Sequence, residues 1–532
     1  MLRISPTDTP PTSISAGQGW PLFSTAATRQ IEKACADRLP PHALMERAGL
    51  AIAKLAMAIA PHAQRIWIAC GPGNNGGDGF EAAAQLSAML PHAQIMVSEV
   101  RAPAELPSDA QVSRNTALQA GVQWLNDAPA DLGPQDLCVD ALLGIGLSPR
   151  TSDKTSTADQ RLLQLLAQVR HCTCNVLCVD IASGLDADTG QYLREFAPDP
   201  IAADQRRHTL ALLTLQPGLF TGQGRDACGQ IWWDDLSCGI ASAPDAPNSP
   251  CPAAAAQPKA HLSNPAGLTS SRARPHASHK GSFGDVAVLG GEGLGLRGLS
   301  MTGAAWLAAL AALHAGAGRV MLALLDEQSP QGVAPWPEIM LRRPAAQDWS
   351  QATVVCGCGG GEAVQAWLPH ILAQAPRLVL DADALNAVAA SPVLAQQLSQ
   401  RAAHQQTTVL TPHPLEAARL LQTSTAQVQA NRLQSCLQLA SKFQCTVLLK
   451  GSGTVTANSQ QQAWINTSGN ARLATGGTGD VLAGLIAALW AQGQSADMAA
   501  TQAAFRHGHI ADCWPDERPF SASALAVRLG NQ

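Results

Sequence analysis

Short apolar runs alternate along this chain with longer segments of helical period, a pattern that predicts α/β units with largely parallel sheets. In the first half, residues 65–70, 94–100, 137–140, 176–180 and 209–214 are apolar almost throughout, as strands covered on both faces must be. In the second half the same holds for 285–289, 319–325, 353–357, 377–381, 408–410 and 445–449. The period is lost over 241–278, where Pro, Ala, Ser and Asn crowd together, and that stretch reads as a linker. The longest apolar stretches, 48–60 and 303–313, fall short of the about 20 residues needed to cross a bilayer.

A chain of 532 residues exceeds the span of one hydrophobic core, so two domains are expected. We divide it into a flexible N-terminus (1–20), a first domain (21–240), a linker (241–276) and a second domain (277–532). The first 20 residues are rich in Ser, Thr and Pro and lack an apolar core, so they do not form a secretory signal. Charged residues make up only 14%, the net charge is −5 and no basic run occurs, which argues for small-molecule partners and against nucleic acid or membrane. Several of the 14 cysteines (Cys70, Cys138, Cys178, Cys356, Cys445) lie inside strand-like runs, and no CxxC pair exists. Free thiols in a reducing compartment, hence a cytoplasmic protein, are expected.

Chemistry enters through two glycine-rich turns. Ala474-Thr475-Gly476-Gly477-Thr478-Gly479-Asp480 feeds the helical run 481–490, so backbone N–H groups and a helix N-terminus face any anion there, with Asp480 as a built-in base. An ordinary first-turn acid is the plain alternative for Asp480. Gly71-Pro72-Gly73-Asn74-Asn75-Gly76-Gly77-Asp78-Gly79-Phe80 follows the strand 65–70 and opens a helical run at 81–90. It contains GxGxxG, and with Glu99 near the end of the next strand a dinucleotide fingerprint is an equal competitor on spacing. The Asn pair and the trailing Gly-Asp-Gly instead supply side-chain oxygens suited to a cation or a sugar. Two further strand ends, 139–147 (VDALLGIGL) and 179–190 (VDIASGLDADTG), should converge on this turn, because ligands bind at the carboxyl ends of strands in open α/β sheets.

These motifs, preceded by Leu44-Met45-Glu46-Arg47-Ala48-Gly49, resemble the NAD(P)H-hydrate epimerase domain over roughly 22–239. His279-Lys280-Gly281-Ser282-Phe283-Gly284, Thr411-Pro412-His413-Pro414-Leu415-Glu416, Lys450-Gly451-Ser452-Gly453-Thr454 and the turn ending at Asp480 resemble the ADP-dependent NAD(P)H-hydrate dehydratase domain over about 277–529. The chain is thereby similar to the fused, bifunctional nicotinamide-nucleotide repair enzymes. The resemblance implies a Rossmann-like three-layer αβα domain followed by a ribokinase-like α/β domain. It also implies an isomerase that interconverts the R and S epimers of NADH or NADPH hydrate at C6, and a lyase that dehydrates the S form.

Carried over residue by residue, the resemblance makes Asp180 the acid/base of the epimerase. Asn74, Asn75, Gly76, Gly77 and Asp78 would hold the substrate's phosphates, and Gly144, Ile145, Gly146, Leu147, Ser148, Pro149 and Arg150 would close over it. Asn75, Asp140 and Ser183 would coordinate K⁺. In the second domain Ala304, Gly361, His413 and the base Asp480 would meet the hydrate, while Lys450, Gly451, Ser452, Gly453, Thr454 and Gly479 would bind ADP or ATP. Asp381, Asp383 and Asn386 could help place Mg²⁺ through water, or Asp383 could simply cap a helix. A homo-oligomer is also implied.

The chain departs from the family at Ala182 and Cys358, where proline is usual, and at Gly360, where leucine is. Looser turns are expected at all three. Three other readings remain at this stage: a ribokinase-like small-molecule kinase, a nicotinamide-dependent dehydrogenase using the first glycine turn, and a first domain serving only as an interaction module. His507 and His509 lie two apart in a helical run and read as structural. No Walker-A lysine, HExxH or nucleophile elbow is present.

Overall fold

The computed structural model describes residues 1–7, 19–101, 105–147, 157–198, 206–240, 256–263, 276–326 and 335–531. By its internal contacts the chain divides into two compact units, Met1–His261 and Leu262–Gln532.

The first unit is built on an eight-stranded sheet. Its order is Leu2–Ile4, Gln230–Asp234, Arg207–Leu212, Asn175–Val179, Leu137–Ala141, Arg65–Cys70, Gln94–Glu99 and Gln123–Trp124. All neighbours are parallel except the first pair, where Leu2 faces Trp233 and Ile4 faces Ile231 in antiparallel register. The start of the chain is therefore not wholly the flexible lead-in the composition suggested, because an apolar Leu-Arg-Ile closes the sheet edge. The 241–276 segment is also not all linker. Ala260 and His261 pair antiparallel with Leu22 and Pro21, whereas 241–255 and 264–275 lie outside the described residues.

The five strands expected in this half are present to within two residues at each end, and the edge strand Gln123–Trp124 and the inner strand Gln230–Asp234 are additional. Helices Ala43–Ile59 and Asn74–Met89 bury Ile52, Leu55, Phe80 and Leu86 in the core against Ile66, Ile68 and Val139.

The second unit carries seven parallel strands in the order Ile339–Arg342, Arg319–Leu324, Asp285–Gly290, Thr353–Cys356, Arg377–Leu380, Thr407–Leu410 and Thr446–Leu449. Val455–Ala457 and Ala463–Ile465 extend the sheet in antiparallel sense. Its centre is the helix Thr478–Ala491, which buries every residue from Val481 to Ala491. A helix apolar on all sides belongs inside a domain. It lies so close to helix Thr302–His314 that a Cβ on Gly484 would sit 2.0 Å from the carbonyl oxygen of Ala308.

Among the described residues all cysteines are free thiols and most are buried, Cys513 being exposed. No described helix is long and apolar enough to cross a membrane.

Candidate active sites

In the first unit the strand order reverses between Arg65–Cys70 and Leu137–Ala141. The chain leaves the former toward Gln94–Glu99 and the latter toward Asn175–Val179, on opposite sides. Loops that part in this way leave a crevice at the carboxyl ends of the strands.

The glycine turn there is shorter than its sequence suggests, because the helix begins at Asn74 rather than near 81, with extended Gly73 as its N-cap. Glycine is a poor helix former, so propensity hides this first turn. Packing requires it: a Cβ on Gly76 would lie 2.1 Å from the Gly71 carbonyl oxygen, and one on Gly79 would lie 2.7 Å from Ala141 Cβ. Asn74, Asn75 and Gly76 thus offer free N–H groups at a helix N-terminus, the usual cradle for a phosphate.

The three motifs meet at Gly144, where an added Cβ would lie 3.0 Å from both Asn75 Oδ1 and Asp180 Oδ2. Asp180 stands just past Asn175–Val179 in a left-handed conformation (φ 63°), its N–H donating to Leu210 at 2.9 Å. A non-glycine residue held there is strained, and such strain concentrates at functional sites. Burial, and then the Glu32 carboxylate, push the Asp180 pKa up to about 7. Asp78 is driven well up by burial and then by Asp180, Glu32 and Glu81. Glu32 itself is raised by burial, with Arg29 opposing. Glu32, on helix Thr25–Ala36, gave no signal in the sequence because only the fold brings it to this cluster.

Behind these acids, buried Asp140 receives Ser183 Oγ at 2.6 Å and the Ser183 N–H at 3.1 Å. Leu143 N–H donates to Ser183 Oγ at 2.9 Å. The looser turn expected from Ala182 is not seen, because Asp140 fixes Ser183 twice where a proline would have stiffened the backbone. Asn75 is 9% exposed, and neither its Oδ1 nor its Nδ2 has a hydrogen-bond partner. A buried unpartnered amide is costly unless a ligand or ion completes it. Gly144, Ile145, Gly146 and Leu147 follow Leu137–Ala141 as expected, and Arg29 reaches the Gly146 carbonyl at 3.5 Å. Ser148, Pro149 and Arg150 lie outside the described residues.

The second unit repeats the reversal, between Asp285–Gly290 and Thr353–Cys356. Helix Thr478–Ala491 starts from left-handed Gly477 (φ 90°), and Thr478 Oγ1 donates to the carbonyls of Leu473 and Thr475, both at 2.9 Å. Asp480 lies in its first turn. Burial and then Asp381 raise its pKa to about 7, against the lowering pull of Cys358 and Lys450.

Lys450, at the end of Thr446–Leu449, binds Asp381 Oδ1 at 2.7 Å. Burial alone would lower the Lys450 pKa, but Asp381 and Glu416 carry it above its usual value. A Cβ on Gly479 would lie 3.4 Å from Lys450 Nζ and 4.0 Å from Asp381 Oδ2, so turn, lysine and acids converge. Buried Arg432 holds the 450–454 turn by donating to the carbonyls of Leu449 at 3.2 Å and Lys450 at 3.1 Å.

His413 N-caps helix Pro414–Leu421, its Nδ1 accepting from Leu415 and Glu416 while Glu416 Oε2 accepts the His413 N–H at 2.8 Å. Burial, then Lys450, lower its pKa, so a neutral ring stands at the strand end. His507 is structural as expected, its ring 2.9 Å from the Thr478 carbonyl.

The 357–361 loop is bound more firmly than its glycines suggest. Gly291 N–H donates to Cys358 at 3.0 Å, Glu292 N–H to Gly359 at 2.7 Å, and Gly361 N–H to Asp383 Oδ2 at 2.8 Å. Gly357, Gly359 and Gly361 all have positive φ, and a Cβ on Gly359 would press to 2.9 Å from Ala304 Cβ. Ala304 and Gly361 therefore border one loop. The expected magnesium helpers are engaged otherwise: Asp381 with Lys450, Asp383 with Gly361, and Asn386 with Arg419 at 2.6 Å.

Fold and sites together define an α/β enzyme of two compact units, each setting a carboxylate raised to about 7 beside a glycine-led helix N-terminus. Residues 288–530 match the family described as NAD(P)H-hydrate dehydratase, and 41–218 match the YjeF-related protein N-terminus. The chain is 33% identical over 520 residues to the bifunctional NAD(P)H-hydrate repair enzyme Nnr of Escherichia coli (strain K12), spanning 95% of this chain and 89% of that one. It is 40% identical over 265 residues to the ADP-dependent (S)-NAD(P)H-hydrate dehydratase of Neisseria meningitidis, covering 48% of this chain and 86% of the relative. Among solved structures, the ADP/ATP-dependent NAD(P)H-hydrate dehydratase of Bacillus subtilis is 29% identical over 48% of this chain and 91% of its own, with a TM-score of 0.40.

The chain belongs to the bifunctional NAD(P)H-hydrate repair enzymes. The kinase, dehydrogenase and non-enzymatic readings give way to that membership.

Proposed function

We propose that Asp180 is the acid/base that interconverts the two C6 epimers of NAD(P)H hydrate, and that Asp480 is the base of an ADP-dependent dehydration of the S epimer. The observation that carries this reading is the paired construction of the units. In each, a carboxylate with a pKa near 7 meets a glycine-led helix N-terminus where the strand order reverses.

In the first unit, the free N–H groups of Asn74, Asn75 and Gly76 hold the dinucleotide phosphates, and Gly77, whose N–H donates to Gly73, allows their close approach. Burial and then its acidic neighbours raise the Asp78 pKa, which weakens its repulsion of a phosphate. Gly144 to Leu147, continued by Ser148, Pro149 and Arg150, cover the nicotinamide end. Asp180 takes and returns the proton of the C6 oxygen or of the ring while a bond to C6 opens and re-forms on the other face, a role suited to a group that titrates near neutral pH. Asn75, Asp140 and Ser183 would hold K⁺, and the unpartnered Asn75 amide is the feature that fits such an ion. When bound, the ion supplies positive charge to a cluster otherwise made of acids.

In the second unit, Lys450, Gly451, Ser452, Gly453, Thr454 and Gly479 bind the nucleotide, Lys450 acting as a point charge on phosphate. Ala304, Gly361 and His413 border the hydrate. Asp480 removes the proton of the C6 hydroxyl, whose oxygen attacks the terminal phosphorus of ADP, and AMP departs. Phosphate then leaves C6 as a proton is lost from the neighbouring carbon, which restores the ring double bond. The helix N-terminus stabilises the charge that develops. Asp381, Asp383 and Asn386 would help place Mg²⁺ through water, and the ion when bound would neutralise charge on the nucleotide phosphates. The name of the Neisseria relative supports ADP as donor. A homo-oligomer acting on small molecules completes the reading.

The deciding experiment supplies mixed-epimer NADH hydrate, Mg²⁺ and either ADP or ATP while the near-ultraviolet absorbance of NADH is followed. Full conversion with ADP is expected. A halt after one epimer is consumed would show the first unit inactive, and no recovery with either nucleotide would overturn the reading of the second.

A further inference from the structure

One side chain at the second site has no part in the reaction just described. Cys358 follows the strand Thr353–Cys356 and is fully buried. Its Sγ, a carboxylate oxygen of Asp480 and one of Asp381 all lie within 4.8 Å of one another. The backbone around it cannot readily swing away. Gly357 and Gly359 hold φ values of 117° and 59°, and the Cys358 carbonyl is bound by Gly291 N–H at 3.0 Å.

Burial, and then the Asp480 and Asp381 carboxylates, push the thiol pKa well up, so it keeps its proton and acts as a donor rather than a nucleophile. On the far side of the pair, Lys450 fixes Asp381 at 2.7 Å. A carboxylate flanked by a buried thiol and a second, lysine-bound carboxylate has few orientations open to it.

Resting on the assignment of Asp480 as base, we propose that Cys358 is a positioning residue for the dehydration, its S–H donating to the Asp480 carboxylate and fixing the direction in which that carboxylate faces the substrate hydroxyl. The other groups facing Asp480 are Asp381, Asp383 and Lys450, which the test leaves in place.

The test measures ADP-dependent dehydration of the S hydrate by the full chain and by the variants Cys358→Ala, Cys358→Ser and Asp480→Asn, with kcat, KM and the pH dependence of kcat. Loss of one donor to a charged acceptor is expected to lower kcat of Cys358→Ala about tenfold at unchanged KM. The acidic limb of its profile should move to higher pH. Cys358→Ser, which keeps a donor, should restore both, and a folded protein is verified by unchanged epimerisation and melting temperature. Wild-type kcat and pH limb in Cys358→Ala would overturn the proposal, as would a serine variant no better than alanine, which would make the sulfur mere filling. If Cys358→Ala does not fold, Cys358→Ser alone decides, since loss of kcat in that folded variant contradicts the donor role. Retained activity in Asp480→Asn would instead sink the assignment of the base, and is read separately.

Discussion

Burial and then a neighbouring carboxylate raise both Asp180 and Asp480 to about 7, but the charges around them differ. Around Asp180 the neighbours are acids, Glu32 and Asp78, and its carboxylate is raised by burial and like charge. Around Asp480 the charge is mixed, because Asp381 is paired with Lys450 at 2.7 Å and the neutral Cys358 thiol lies within 4.8 Å. Among the described residues the first site has Arg29 near Glu32 and the helix N-terminus at Asn74, whereas the second has a lysine paired directly with an acid. The difference suits the chemistry: an epimerisation needs a mobile proton, and a phosphoryl transfer needs fixed positive charge on phosphate.

Exchanging each acid for its amide tests the comparison at its root. Asp480→Asn should lower dehydration by about 10²–10⁴-fold and leave epimerisation intact, and Asp180→Asn should do the reverse. Equal loss of both reactions in either variant would contradict two independent centres.

Next in size is Lys450→Met, which strands the buried Asp381 carboxylate. Dehydration should become weak in nucleotide, and the second unit should lose on the order of a few kcal/mol, read from its urea midpoint. An unchanged midpoint would show that the ion pair is not what holds Asp381.

A smaller, local effect is expected from Gly144→Ala, whose methyl would lie 3.0 Å from Asn75 Oδ1 and Asp180 Oδ2. Epimerisation should fall about tenfold with no change in melting temperature, the order of effect of misplacing one catalytic contact. Wild-type epimerisation would mean that the two side chains can give way without loss.

The smallest effect concerns protons and stability. The Asp480 pKa of about 7 lies above the usual 3.8, so the folded state holds this proton more tightly than the unfolded one. Its stability contribution is therefore present at low pH and is lost as pH rises from about 4 to 7. Dehydration should rise over the upper part of that window as the base ionises. Asp480→Asn should melt above the wild type at pH 8, with the gap closing toward pH 4. A gap independent of pH would place the titration elsewhere.

Much of the fold was legible because buried parallel strands leave contiguous apolar runs, and all eleven of those read in the sequence are strands in the structure. Most strands that escaped notice, such as Leu2–Ile4, Gln123–Trp124 and Ala463–Ile465, are two or three residues long, too short to show a period, while Gln230–Asp234 and Ile339–Arg342 mix polar and apolar residues. At the sites, glycine turns marked Asp480 and the Asn74 to Asp78 stretch, but propensity misplaced the helix start at Asn74. Glu32 and the contact between Cys358 and Asp480 had no local signature, being separated in sequence from the groups they touch.

The sequence by itself determined the α/β class, the two glycine turns and the acids that follow strands, since these depend on periodicity and on residue type at fixed local spacing. Only the tertiary structure decided which loops meet at each strand reversal, that both acids titrate near neutral pH, and that Lys450 faces Asp381 while Asp180 faces Glu32. Those properties arise from burial and from charges brought within a few ångströms by chain crossing, and neither is encoded in any one segment.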